Sequence, residues 1–221
     1  MTSRREQTER AILKALEDQL CETGMAGVGV NVVAKRAGVS KELIYRYFDG
    51  LPGLMLAWMQ EQDFWTRTSN VVKTSEAGQR SPSELILAML HEQIDALADN
   101  PALREVRRWE LIERNEISAQ LADRREAAAR TFIDRIDGLT EEADVPAMVS
   151  ILLAGVLYLM LRAKTEAFFL GMPLRTEEGR ERLWDALKHL MRALPEDLKE
   201  QSLNALEGRR RPDGAKKDHA P

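Results

Sequence analysis

Residues 37–48 read AGVSKELIYRYF. Side chains that could meet a nucleic acid crowd into this stretch. Lys41 can donate to guanine O6 and N7, Glu42 can accept from cytosine N4, and Leu43 can touch a thymine methyl. Tyr45, Arg46 and Tyr47 offer donors suited to phosphate oxygens, the contacts that position a protein on a duplex. The competing reading makes the tyrosines half-buried aromatics and the charges a solvated face.

Such chemistry requires a helix that projects its first turns outward, and the surrounding pattern supplies one. Ile12, Leu13, Leu16 and Leu20 form the stripe of a first helix ending near Gly24. Val30, Val33, Ala34 and Ala37 follow the i, i+3, i+4, i+7 spacing of a short second helix stopped by Gly38. Ser40 is suited to cap a third helix, with Ile44 and Phe48 on one face. Two short helices joined by a glycine-containing turn form a helix-turn-helix pattern, whose second helix enters a major groove.

Beyond it, Gly50, Pro52 and Gly53 mark a break before a helix expected to run to about Ser69, and 71–80 reads as a polar loop. Ser81-Pro82 with Glu84 is a capping-box signal for a helix to about Ala98, and Asn100-Pro101 repeats the cap-then-proline signal. Further helices are predicted to about Asn115, from about Ser118 to Ile136, from near Pro146, and after Thr176. No run alternates with period two, so the fold class expected is all-α. Residues 208–221, charged and containing proline and glycine, read as a disordered tail.

The bulk numbers agree with a helix-rich globular protein. The 221 residues are 44% hydrophobic and 31% charged. The single cysteine, Cys21, has no partner for an internal disulfide, and 1–9 is polar with no apolar run after it, so a cytoplasmic protein is expected. Residues 1–50 hold eight Lys/Arg against seven acids, a net of +1, which leaves −5 for the rest of a chain of net charge −4. A nucleic-acid surface must therefore be local and N-terminal.

The residues Gly24, Val33-Ala34, Ala37-Gly38-Val39-Ser40 and Tyr45-Arg46-Tyr47-Phe48 stand at a spacing that resembles the tetracycline-repressor (TetR) family of bacterial transcription regulators. The resemblance is strong over about 8–58. It implies a homodimer with two DNA-reading heads, a palindromic double-stranded operator, and a C-terminal ligand-sensing domain. On this resemblance Asn31, Lys41, Glu42, Leu43 and Tyr45 face bases or nearby backbone, with Ser40 at the same helix start. Arg46 and Tyr47 face phosphates, and Ala34, Ile44 and Phe48 face the core. The chain departs from the family pattern at Gly29, which lacks the usual hydroxyl, at Val32, at Glu42-Leu43, and at Leu51, where a phosphate-binding lysine is usual.

The C-terminal region offers no catalytic constellation. His91, His189 and His219 are scattered, HEQID at 91–95 lacks a second histidine, and no CxxC, P-loop or GxGxxG occurs. Glu110, Glu113 and Glu116 share helical spacing, as a solvated face also would. No cofactor or metal is expected, and no enzyme. Trp58, Met59, Trp65, Met89, Trp109, Tyr158, Met160 and Phe168 are candidates to line a ligand pocket or to fill a core. Arg108 and Arg162 could meet an acidic ligand or pair with surface glutamates.

Val145–Leu161 carries no charge over 17 positions, short of the roughly 20 apolar residues of a membrane span. A buried or interface helix is the expectation, and no membrane partner. Ile151, Leu152, Gly155 and Leu159 share one face, and Leu183, Leu187, Leu190, Met191 and Leu194 form another stripe. Paired across a two-fold axis, these helices would make a four-helix dimer contact.

The organisation expected is a helix-turn-helix DNA-binding domain over 1–50 and a larger helical ligand-binding and dimerisation domain over 51–207, with 51–69 as connecting helix. The function expected is a dimeric repressor released from its operator by a small, mainly apolar effector. The rivals are a DNA-binding or protein-interaction module without an effector and, remotely, a helical enzyme.

Overall fold

A computed structural model describes residues 3–62, 81–136 and 144–192. The connecting helix's expected end at Ser69, the polar loop, Trp65, Leu194 and the charged tail lie outside these residues.

Helix α1 (Arg4–Thr23) opens with a reciprocal box. The Ser3 hydroxyl accepts from the Glu6 N–H at 3.2 Å and the Glu6 carboxylate accepts from the Ser3 N–H at 3.0 Å. Gly24 ends it at φ 67°, and a single 3-10 turn (Met25–Gly27) leads to α2 (Val30–Ala37). Helices α3 (Lys41–Phe48) and α4 (Gly50–Gln62) follow. The break before α4 falls at Asp49 (φ 58°) and Gly50 (φ 88°). Gly53 is needed for close approach, since a Cβ there would lie 1.7 Å from the Phe48 carbonyl oxygen.

Helices α5 (Pro82–Asp99) and α6 (Pro101–Glu110) begin where their signals place them. Ser81 and Glu84 complete a capping box, and Asn100 Oδ1 accepts from the Leu103 N–H at 2.9 Å. Helix α6 stops at Glu110, short of the expected Asn115. The Asn115 N–H donates to Ser118 Oγ (2.9 Å) and the Ser118 N–H to Asn115 Oδ1 (3.1 Å), which starts α7 (Glu116–Ile136) two residues early. Glu110, Glu113 and Glu116 therefore do not share one helix face. Helix α8 (Val145–Arg162) is capped by Asp144, and α9 (Glu177–Arg192) follows a two-stranded hairpin, β1 (Phe168–Phe169) with β2 (Met172–Pro173). Strands of two residues are too short to register as period-two alternation. Leu170 and Gly171, both at positive φ (48° and 76°), form the turn.

The helices share one continuous core, which includes Ile12, Leu16, Val33, Ile44, Leu54 and Trp58 and continues through Met89, Leu97, Val106 and Val156. Helix α1 packs against α2, α4 and α6, while α5 packs against α8 and α9. The N-terminal helices thus sit directly on α6 through α1. Helix α8 is long and apolar enough to cross a membrane by length and composition, with 28% of its window buried.

Candidate nucleic-acid interface and ligand groove

The turn between α2 and α3 is built by its backbone. Gly38 adopts the left-handed conformation (φ 66°, ψ 31°). Its N–H donates to Lys35 O (3.3 Å) and that of Val39 to Ala34 O (3.0 Å), a Schellman closure. Ala34 and Ile44 are buried beneath the turn, and Phe48 is partly buried against the same core. Arg36 fixes α2 to α1 by donating to Gln19 Oε1 at 2.8 Å and pairing with Glu22. That arginine is consequently structural.

With its inner face anchored, α3 presents its other side outward. Asn31, Ser40, Lys41, Glu42, Tyr45 and Arg46 are exposed, and Leu43 and Tyr47 are half-buried. Lys41 and Arg46 make no salt bridge among the described residues. Ser40 stands at the N-cap without a side-chain capping bond. Glu42 takes that place instead: its own backbone N–H, then the Ser40 hydroxyl and the Lys41 charge, hold its carboxyl below the usual range. Its anionic oxygens therefore face the start of α3, where a helix end favours negative charge.

Two guanidiniums approach the Tyr47 ring, Arg46 Cζ at 5.2 Å and Arg5 Cζ at 5.1 Å from its centroid, and Arg5 also pairs with Glu9 at 2.7 Å. Arg5 belongs to the same surface, and the sequence reading missed it because no local motif links α1 to α3. Tyr45, 55% exposed, rests its ring edge over Gly50. Gly29 is the N-cap of α2 with no side-chain capping bond, and Leu51 is half-buried against the core.

A family profile described as "Bacterial regulatory proteins, tetR family" matches residues 12–57, which span the core of α1 through the start of α4. Over these residues the chain carries the tetR-family pattern. The chain is 30% identical over 118 residues, 53% of its length, to an HTH-type transcriptional regulator of Mycobacterium tuberculosis. The match spans 56% of that relative's own length, so the chain aligns with about half of it. An HTH-type transcriptional regulator BetI 1 of Chromohalobacter salexigens is 35% identical over 92 residues, covering 42% of this chain and 43% of that one. Among solved structures, the fatty acid degradation regulator FadR of Bacillus halodurans superposes with a TM-score of 0.63 at 16% identity, over 84% of this chain and 98% of that one. Bacillus subtilis FadR in complex with stearoyl-CoA gives 0.58 at 18% identity, over 83% and 97%. At such identities the structural likeness shows a shared fold.

A second site lies at the other end of the molecule. A half-open groove of about 550 Å³ runs between α6, α7 and α8. Of the expected pocket residues, Tyr158 lines it. Trp58, Met59 and Met89 are buried in the common core and do not line this groove, though the Trp58 indole N–H finds no hydrogen-bond partner. Trp109 is half-buried against that core, Met160 is buried and lines a separate cleft, and Phe168 is exposed on the hairpin. Helical spacing identified apolar residues without saying which side of the wall they occupy.

The expected dimer residues divide similarly. Ile151 (72% exposed), Gly155 and Leu190 (55% exposed) lie on the outside, and nothing approaches within 4 Å of a Cβ built on Gly155. Leu159 is half-buried. Leu183, Leu187 and Met191 are buried within the chain, on the side of α9 that packs against α5. These three hold the protomer together, and the outward stripe of α9 is Ala186 and Leu190.

Among the described residues, no cluster of three or more His, Cys, Asp or Glu is placed to hold a metal ion.

Proposed function

We propose that the protein is a homodimeric transcriptional repressor that binds a palindromic operator and is released by a mainly apolar small molecule. The observation that carries this is the outward face of α3: Lys41 and Arg46, which make no salt bridge among the described residues, beside a tyrosine ring approached by two guanidiniums. Relatives described as HTH-type transcriptional regulators support it. Residues 1–50 form the reading domain in this proposal, and 51–207 sense the effector and dimerise. Lys41, Leu43 and Tyr45 read bases with Asn31, while Arg46, Tyr47 and Arg5 hold phosphates.

The uncovered stripe of α8, through Ile151, Gly155 and Tyr158, is the natural seat for a second copy. Apolar helix surface left in water would otherwise favour aggregation. Such a pairing accounts for an apolar helix of this length without a membrane, and work on chromosomal DNA puts the protein in the cytoplasm. The groove on α8 supports the effector, and Bacillus subtilis FadR offers a precedent of the same fold with a bound stearoyl-CoA.

The test is selection of bound DNA from a random pool by the full chain. Two similar half-sites in inverted orientation are expected, because a two-fold dimer presents two identical helices. Binding with no preference for any sequence would end the regulator reading. A preferred palindrome whose binding responds to no small molecule would favour the effector-free module.

A further inference from the structure

We infer that the groove between α6, α7 and α8 takes an amphiphilic anion, an apolar chain ending in a carboxylate or phosphate. This rests on the effector reading above and assigns its chemical class.

The body of the groove is apolar. Leu157, Tyr158 and Leu161 come from α8, and the turn after α6 adds Leu111 and Ile112, which are 77% and 80% exposed. Two large aliphatic side chains held open beside a cleft gain from an apolar ligand that covers them. The volume of about 550 Å³ lies within the roughly 300–1,000 Å³ of small-molecule sites.

The charges specify the head. Four arginines line the groove (Arg107, Arg108, Arg125 and Arg162) against one carboxylate, Glu110. That carboxylate is already committed. Its side chain is 6% exposed, Oε1 accepts from Arg125 Nη1 at 2.6 Å, and Arg107 lies 3.6 Å from Oε2.

The other two arginines are held loosely by acids outside the lining. Arg108 stands 3.4 Å from Glu105 Oε1, the same oxygen that Lys164 engages more closely, and Arg162 is 3.5 Å from Glu166. These distances sit at the edge of hydrogen bonding. An excess of guanidinium beside apolar walls favours an anion through charge-assisted hydrogen bonds and rejects a cationic amphiphile. Arg108 and Arg162 are therefore the positions for the head.

Glu110 supplies an independent sign of a ligand. Its Oε2 is buried and accepts no hydrogen bond, and buried acceptors are ordinarily satisfied. A hydroxyl or amide N–H near the ligand's head would satisfy it.

The experiment is titration calorimetry on the full chain with a medium-chain saturated carboxylate, the alkyl phosphate of equal length, and the alcohol of equal length. One or both anions should bind at least about tenfold more tightly than the alcohol. Whichever anion binds better identifies the head. Each added methylene should tighten binding by about fourfold until the groove is full. Arg108→Ala and Arg162→Ala should each weaken the anion by about tenfold and leave the alcohol unchanged.

An alcohol that binds as well as the anions, or a double arginine variant with undiminished anion affinity, would overturn the inference. Ala154→Trp should plug the groove and abolish binding with helicity intact by circular dichroism. If that variant instead loses only its self-association and keeps its affinity, the groove belongs to a second copy and the inference fails. The two readings separate cleanly. Anion binding that leaves a selected operator bound removes the effector role and keeps the site, whereas specific operator binding with no anion binding removes the site and keeps the regulator.

Discussion

Tyr47 shows how far a single side chain was legible. Its place in the Tyr-Arg-Tyr-Phe run pointed to a phosphate contact, and the structure adds Arg5, whose guanidinium stacks on the Tyr47 ring as that of Arg46 does. Contiguous residues of α3 could be read because one helical turn fixes their relative positions. Arg5 could not, because its position depends on how α1 packs against the rest of the head. Arg5→Ala should therefore weaken DNA binding on every sequence alike and lower the log–log salt slope by about one unit, as measured by fluorescence anisotropy over a salt series. Lys41→Ala should behave differently, relaxing preference at one base position by roughly 1–3 kcal/mol. Equal weakening across all sequences would reassign Lys41 to the backbone. At Gly29 a Cβ meets nothing within 4 Å, so Gly29→Ser has room to cap α2. It should add a few tenths of a kcal/mol in urea unfolding, together with modestly tighter DNA binding from the hydroxyl. A destabilised Gly29→Ser would refute this account of the helix start.

Whole elements were legible where caps announce them. Ser81 and Asn100, read as caps, each place an oxygen on the third residue's N–H, and the structure adds the same bond at Ser3 and Asp144, which the sequence pattern had not singled out. What periodicity could not assign was the direction of each face. Helix α9 carries apolar residues inward at Leu183, Leu187 and Met191 and outward at Leu190, and a stripe read from sequence merges the two. Substituting a charge separates them. Leu187→Glu buries an unpaired carboxylate in the protomer and should unfold it or lower its melting point sharply, by several kcal/mol of stability. Leu190→Glu, or Ile151→Glu on α8, should leave the melting of the isolated protomer nearly unchanged and shift sedimentation toward monomer. A stable, fully dimeric Ile151→Glu protein would move the interface to another face. Gly53 is a further case in which space, not pattern, decides. A methyl there meets the Phe48 carbonyl, so α3 and α4 would have to separate, at a cost of about 1–3 kcal/mol in Gly53→Ala by denaturant unfolding.

At the scale of the molecule, the proposed effector in the groove would have to act on a proposed reading head it does not touch. Helix α4, expected as the connecting helix, follows the N-terminal helices directly, yet no α4 residue lines the groove. Helix α6 does line it, through Arg107, Arg108 and Glu110, and its other end is tied to α4. Asn100 caps α6 with its carbonyl oxygen and donates from Nδ2 to Gln62 Oε1 at 2.8 Å, at the last residue of α4. Helix α6 also packs directly on α1. A ligand that displaces α6 therefore has two routes to the head, one by packing on α1 and one by the Asn100–Gln62 bond to α4. A small rotation of α4 changes the separation of the two heads, which DNA fixes near 34–36 Å for half-sites one turn apart. Coupling of this kind is reciprocal: operator and ligand weaken each other by one factor, typically 5–150-fold. Gln62→Ala removes the bond and leaves the cap on α6, so it tests the α4 route alone. Operator affinity without ligand and ligand affinity without operator should both stay within about twofold of the parent, while the coupling factor falls part of the way toward one. The measurement is ligand affinity for free and for operator-bound protein, in parent and variant. A Gln62→Ala protein that keeps the parent's full coupling would exclude the Asn100–Gln62 bond as a route and leave helix packing, α6 on α1 and α7 on α4, to carry it.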